Sequence, residues 1–329
     1  MEAIRVLRIP FYPSLILLLA SLAGYLGCDP SNVSAPIQPA SNTASSQVQF
    51  SPNIPARSQN TILLSSFNLQ RLGPSKMNDP WVMDRLAEMI RQVDLMAIQE
   101  ITDSSGQALV ALVERVNQNG RRYNFVVSPR VGRAASGYYE QYAFVFDTER
   151  LAGGPEFTYL VNDEQDLLHR EPFIGRFATR ANPAFSFTLV NVHTDPDALK
   201  TELDDLATLM VQVRSYEYPE DDVILLGDVN EGPGKLRGLE QIPGFVSLIR
   251  EPTNTRKTRT LDNFLLDRRL TGEFTGRAGT IDMEAMFSIT NEEALRLSDH
   301  LPVWAEFAIS EAVEAAVPRS ASLESTRPF

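Results

Sequence analysis

The chain has 329 residues, 43% of them hydrophobic, only three histidines and a net charge of −12. That is enough for one large domain or two ordinary ones, and the acidic balance excludes a general basic field drawing the whole protein onto phosphate backbones, though not a local basic rim. The single cysteine, Cys28, excludes an internal disulfide framework and any cysteine-based zinc site, so the fold must stand on its core.

Arg5 and Arg8 precede an apolar stretch at 15–26 that is short for a membrane span and suited to a secretory signal over 1–28. It ends Gly24-Tyr25-Leu26-Gly27-Cys28, which resembles a bacterial lipoprotein signal whose cysteine becomes the lipidated first residue. An ordinary cleaved signal and a retained anchor are the other readings. Each predicts an exported protein, either a cell-envelope lipoprotein or a secreted or periplasmic one, with any tie to a membrane running through this N-terminus. Residues 29–60, rich in Ser, Pro, Asn, Gln and Ala, read as a disordered tether. Residues 61–310 show no second linker and no internal repeat and read as one domain, expected to act as a monomer; 311–329 read as a disordered tail.

Strand-like runs recur at 61–67, 95–99, 123–127, 142–146, 185–192, 223–226, 261–266 and 301–307. Helical patterns lie between them. Asn78-Asp79-Pro80 starts one, with Leu86, Met89, Ile90 and Val93 on a single face. Ser104 and Ser105 open a second, which carries Leu109, Leu112, Val113 and Val116 and is stopped by Gly120. A third runs over 197–216. Strands mixed with surface helices predict packed sheets covered by helices, an α/β or α+β layered sandwich whose topology periodicity does not choose.

Polar residues recur at the ends of the apolar runs. Asn68 follows the first and Glu100 the second; later come Asn191-Val192-His193, Gly227-Asp228-Val229-Asn230, Leu261-Asp262-Asn263 and Ser298-Asp299-His300. Carboxylates, amides and imidazoles repeatedly placed at strand termini can converge in one cleft, where hard oxygens would hold Mg²⁺ or Mn²⁺. Singly, each also reads as an ordinary turn residue. His193 and His300 stand beside acids; His169, in a polar loop, reads as a surface residue.

Taken together these motifs resemble the endonuclease/exonuclease/phosphatase superfamily and, within it, the deoxyribonuclease I family. The resemblance spans 68–307 and rests on Phe67-Asn68, Ile98-Gln99-Glu100, Tyr138-Tyr139-Glu140-Gln141-Tyr142, Arg170-Glu171-Pro172, His193, Gly227-Asp228-Val229-Asn230, Leu261-Asp262 and Ser298-Asp299-His300-Leu301-Pro302-Val303. Tyr-x-Glu-x-Tyr, Arg-Glu-Pro and Asn291-Glu292-Glu293-Ala294-Leu295 narrow it to the deoxyribonuclease branch. It implies a four-layered α-β-β-α sandwich of two mixed sheets flanked by helices. It implies Glu100 as principal metal ligand with Asn68 and Asp299 close by, and a His193–Glu140 and a His300–Asp262 pair, since a carboxylate fixes an imidazole's tautomer and holds its pKa for proton transfer. One histidine would help deprotonate the attacking water and the other would serve the leaving 3′ oxygen. Asp228 and Asn230 would bind phosphate, water or a second metal, and Arg170 would offset charge in the transition state.

The implied function is metal-dependent endonucleolytic hydrolysis of DNA to 5′-phosphate and 3′-hydroxyl ends, with Mg²⁺ as cofactor, Mn²⁺ an alternative and calcium stabilisation not assumed, because the disulfides of secreted animal relatives are absent. Thr102 stands where a member of the family carries an arginine that enters the minor groove. Tyr138 remains a candidate stacking residue or a loop aromatic covering the core, with Arg121, Arg122, Arg130 and Arg133 as possible basic neighbours. The rival readings are a phosphoesterase of the same superfamily acting on phospholipid or phosphoinositide, and a non-catalytic surface binding module; the full set of site residues argues against the latter.

Overall fold

The computed structural model describes residues 49–51, 53–133 and 137–311. Cys28, the signal, most of the tether and the tail lie outside the described residues. Among those described, fourteen strands and six α-helices follow one another: β1 Gln49–Ser51, β2 Thr61–Leu72, α1 Pro74–Met77, α2 Pro80–Arg91, β3 Leu95–Ile101, α3 Gln107–Asn117, β4 Tyr123–Val127 and β5 Gln141–Asp147. Then come β6 Leu151–Ala152, β7 Thr158–Leu160, β8 Phe173–Thr179, β9 Ser186–His193, α4 Leu199–Glu217, β10 Val223–Asp228 and β11 Phe245–Ser247. The last are β12 Asp262–Asp267, β13 Phe274–Thr280, α5 Met283–Phe287, α6 Asn291–Leu297 and β14 Val303–Ala308.

They form two mixed sheets, ordered β1-β13-β14-β2-β3-β5-β4 and β11-β12-β10-β9-β8-β6, with β7 also on β8. Strict alternation of side chains sorts them into layers. In β3, Leu95 and Ala97 enter the core between the sheets, whereas Met96 and Ile98 face the layer under α2 and α3. In β5, Tyr142, Phe144 and Phe146 point inward while Ala143 and Val145 point to the helices. In β10, Ile224 and Leu226 join the central core, and Val223 and Leu225 meet Leu206, Met210 and Val213 of α4. Three apolar layers between four layers of structure are the α-β-β-α sandwich expected.

The helix starts follow their caps in one case and not in the other. Asp79 caps α2 by accepting from the Trp81 and Val82 N–H groups, with Pro80 at the first helical position. The second helix begins at Gln107 rather than at Ser104 or Ser105: Gly106 is left-handed there, and the buried Asp103 carboxylate takes the N–H groups of Ser105 and Ala108.

The tether expected to reach residue 60 ends sooner. Gln49–Ser51 pairs parallel to β13, and Arg57 donates to Asp94 and Asp147, each at 2.5 Å, and to the Tyr123 hydroxyl at 2.9 Å. Arg150 meets the same Asp94 at 3.0 Å. The short strands β6, β7 and β11 and the seven-residue strands β8 and β13 are also not foreseen; Gly175 and Gly276 interrupt the apolar pattern of β8 and β13.

At the end of the sandwich where β10 begins, Asp222 is 1% exposed, and one oxygen from each of Asp222, Glu273 and Glu311 lies within 4.8 Å of the others. Burial, with Glu273, Asp221 and Glu220 adding to it, pushes Asp222 up to about 8. A carboxyl raised in the folded state stabilises the fold fully only below its ordinary range, and that contribution is lost as pH rises through about 8. Asp222→Asn is therefore expected to leave the thermal midpoint nearly unchanged at pH 5 and to raise it by several degrees at pH 9, roughly 1–3 kcal/mol for removing a poorly compensated buried charge. Midpoints that shift equally at both pH values would contradict this.

Candidate active site

Strand register assembles the site. β9 and β10 run parallel with Asp228 opposite His193, while β12 runs antiparallel with Asp262 opposite the same Asp228. Asp228 is thereby fixed between two strand-end partners. Gly227, before it, has φ 142°, and a Cβ there would lie 2.1 Å from the Val192 carbonyl oxygen, so the Gly-Asp pair is a steric requirement of this close approach. In the other sheet, β2 and β3 deliver Asn68 and Glu100 to the same end.

The two histidines are held in matching ways. His193 Nδ1 lies 2.9 Å from Glu140 Oε1, and His300 Nδ1 lies 2.9 Å from Asp262 Oδ2. Each carboxylate is buried and fixed in turn: Arg170 Nε is 3.2 Å from Glu140, and the Thr253 hydroxyl donates to Asp262 at 2.8 Å. With Nδ1 thus engaged, both imidazoles present Nε2, and both Nε2 atoms stand 3.5 Å from the same oxygen, Asp228 Oδ2. That oxygen also accepts from Asn68 Nδ2 at 3.0 Å.

Burial opposes charge on either ring, and the surrounding carboxylates outweigh it. His193 is held above its ordinary value by Glu140 and Asp228, and His300 is pushed up to about 10 by Asp262, Asp228 and Asp299. Glu140, though buried, is kept below the usual carboxylate range by His193 and Arg170. Asp262 goes the other way: burial raises it against the pull of His300.

Asn68 meets this group through its nitrogen. Nδ2 donates to Glu100 and Asp228, both at 3.0 Å, while Oδ1 is turned away to accept from the Gln70 N–H. Expected close to the metal ligands, Asn68 here bridges Glu100 and Asp228 by its amide nitrogen. Glu100 accepts on its other oxygen from the Tyr138 hydroxyl at 3.1 Å and holds φ 60°, one of several left-handed non-glycine residues at this end, with Gln70, Arg71 and Asn230. The Asp299 side chain is 49% exposed, and its backbone N–H is bonded to Gln70. Glu100 and the partly open Asp299 bring hard oxygens to this end, and Asp228, Asp262 and His300 each offer one ligand atom within 4.8 Å of the others, a group that could hold a divalent cation.

A cleft of about 310 Å³ opens here, lined by Arg71, Glu100, Tyr138, Arg170, His193, Pro196, Asp228, Asn230 and His300. Glu140, Asp262 and Asn68 lie behind that surface, fully buried. Asn230 donates to the Thr194 carbonyl and Arg170 to that of His193, so both are fixed at the rim.

Other placements differ from expectation. His169 is no surface residue: it is half-buried, with Nδ1 3.0 Å from Asp195. Glu202, on the first turn of α4, accepts the backbone N–H groups of both His169 and Asp195, at 2.5 and 2.6 Å, tying together the loops that carry Arg170 and follow His193. Nothing in the sequence marked Glu202, Thr253 or Arg71; a carboxylate in a helix's first turn reads simply as dipole compensation. Arg121 and Arg122 sit by Tyr123 and Thr148, at the opposite end of the sheet, which leaves Arg130 and Arg133 on the Tyr138 side. There Arg133 pairs with Asp166 and Arg130 donates to the Tyr139 carbonyl.

Residues 65–300 match the model of the Endonuclease/Exonuclease/phosphatase family. The chain is 34% identical over 262 residues to human deoxyribonuclease-1-like 1, covering 76% of this chain and 85% of that protein. It is 33% identical over 259 residues to mouse deoxyribonuclease gamma, covering 73% and 82%. An endonuclease/exonuclease/phosphatase family structure from Bacteroides thetaiotaomicron shares the fold at a TM-score of 0.55 and 15% identity, covering 78% of this chain and all of that one. The carboxylate-backed histidines, the strand-end acids and these likenesses lead to one assignment: the chain belongs to the endonuclease/exonuclease/phosphatase family, as a deoxyribonuclease I-like member.

Proposed function

We propose that the protein is an exported, divalent-cation-dependent endonuclease that hydrolyses DNA to 5′-phosphate and 3′-hydroxyl ends. The observation that carries this is the convergence of two carboxylate-backed imidazoles on Asp228 Oδ2. A phosphodiester needs a proton removed from the attacking water and a proton or hydrogen bond given to the leaving oxygen, and two oriented imidazoles supply both. No G-x-S-x-G turn that would present a serine nucleophile occurs in the sequence, so direct attack by water is the simplest route.

Glu100, oriented by Asn68 and Tyr138, and Asp299 would hold Mg²⁺ or Mn²⁺, which when bound would polarise a phosphoryl oxygen and neutralise developing charge. The chain's own residues do the rest. His193 and His300 keep Nε2 toward the cleft because Nδ1 is committed to Glu140 and Asp262. Asn230 and Asp228 position the phosphate and water, and Arg170, lining the cleft while anchored to Glu140, offsets transition-state charge. Tyr138 offers a face for an adjoining base. DNA as substrate is supported by the likeness to deoxyribonuclease-1-like 1 and deoxyribonuclease gamma. Export and lipidation at Cys28 rest on the N-terminal sequence.

The test is nicking of supercoiled plasmid by the full chain. Conversion to open circles in Mg²⁺, abolished by EDTA and restored by excess Mg²⁺, is expected, and DNA ligase should reseal the nicks, since it requires a 5′-phosphate beside a 3′-hydroxyl. Intact plasmid alongside hydrolysis of sphingomyelin or a phosphoinositide would transfer the assignment to the phospholipid branch.

A further inference from the structure

Arg71 lines the cleft but has no role in the chemistry described so far, and the backbone is bent to place it there. The pairing of β2 with β3 slips between Asn68 and Leu72, and the residues inside the slip, Gln70 and Arg71, have φ of 44° and 66°. Two successive left-handed residues, neither of them glycine, are costly for L-amino acids, and such bulges beside a cleft re-aim side chains. Gln70 is turned to accept the Asp299 N–H at 3.1 Å, and Arg71 is turned into the lining of the cleft.

The Tyr138 ring carries two guanidinium groups, with Arg71 5.6 Å and Arg170 5.8 Å from its centroid. They are not equivalent. Arg170 is 8% exposed and already tied to Glu140 and to the His193 carbonyl. Arg71 is exposed, and the Tyr138 ring is its contact among the described residues, with no ion pair to a carboxylate. Its charge therefore remains available to a ligand. A single phosphate between His193, His300 and Arg170 is already provided with donors, so a second open guanidinium at the Tyr138 end matches a second anionic group on the same substrate. A planar fork held against an aromatic ring is pre-organised for the paired oxygens of a phosphate.

We propose that Arg71 binds a phosphate neighbouring the scissile one, so that the cleft takes a nucleic-acid strand in preference to an isolated phosphate ester. This rests on the hydrolytic reading above and assigns it a residue that selects for a strand. Full-length wild type and Arg71→Gln are compared in two assays. One is the anisotropy of a labelled DNA duplex across a salt series; the other is hydrolysis, in Mg²⁺, of the duplex and of bis(p-nitrophenyl) phosphate. The variant is expected to bind the duplex about tenfold more weakly, with the slope of log affinity against log salt reduced by about one, as for loss of one phosphate contact. Its kcat/KM ratio, duplex over small diester, is expected to fall about tenfold. Unchanged duplex affinity and slope, equal losses on both substrates, or a wild type that binds no duplex would each overturn the proposal. A wild type that cleaves neither substrate but loses duplex affinity on Arg71→Gln would remove the endonuclease reading and leave this subsite standing.

Discussion

Replacing His300 by alanine is expected to lower the rate of plasmid nicking about 10³-fold, within the range of about 10²–10⁴ typical for a positioned general acid or base. The imidazole cannot be substituted from elsewhere, because the third histidine, His169, is committed to Asp195 outside the cleft lining. His193→Ala should cost as much, since the two rings serve one displacement from either side of Asp228. Groups acting in one step are not additive, so the double variant should be little slower than either single one. Initial rates of open-circle formation at fixed Mg²⁺ decide the matter, and a His300→Ala protein keeping more than about a tenth of the wild-type rate would remove the histidine from the chemistry. Asp262→Asn adds a finer test. It preserves shape but removes the charge that favours the imidazolium, so its loss should be smaller and its pH–rate profile displaced to lower pH, following the direction in which Asp262 shifts His300.

Arg57→Ala is expected to destabilise the fold by about 3 kcal/mol, the lower part of the range for stripping a partner from a buried ion pair. Its guanidinium, 14% exposed, serves Asp94 and Asp147, both essentially buried. Asp94 retains Arg150 and the Leu63 N–H at 2.8 Å. Asp147 loses its cation, and burial leaves it no access to water in exchange. For a domain of this size the corresponding fall in Tm is roughly 6–12 °C. Calorimetry of the variant beside Arg57→Lys separates the contributions: lysine keeps the charge and loses the fork, and should recover part of the difference. A variant melting within a degree of wild type would show that the N-terminal segment merely rests on the sheet.

Much of the fold was legible because the responsible patterns are local. The runs at 61–67, 95–99, 123–127 and 142–146 became β2, β3, β4 and β5, and the cap Asp79-Pro80 began α2. Their signals are a period of two, a capping side chain and a proline with no N–H to lose. Strands β8 and β13 were missed for the converse reason, since Gly175 and Gly276 break the alternation and tertiary pairing on both sides restores the strand. Arg57 and Gln49–Ser51 were read as tether because composition describes the average of a segment, whereas two short ion pairs and a parallel neighbour order it one contact at a time.

The same division holds at the active site. By itself the sequence determined which chemical groups are present and that they stand at strand ends: Glu100, His193, Asp228 and Asp262 are the last or first residues of apolar runs, and that depends only on neighbours along the chain. Only the tertiary structure decided how they meet. Parallel register puts Asp228 beside His193, antiparallel register puts it beside Asp262, and the approach of the two sheets brings Asn68 to Asp228 across 160 residues of sequence. It also decided that Asn68 faces inward by its nitrogen, that Glu202 braces two loops, and that Arg71 is turned into the cleft. The physical reason is that hydrogen bonds and ion pairs act over about 3–4 Å, and which groups come that close is set by strand order and register, quantities that no stretch of sequence contains.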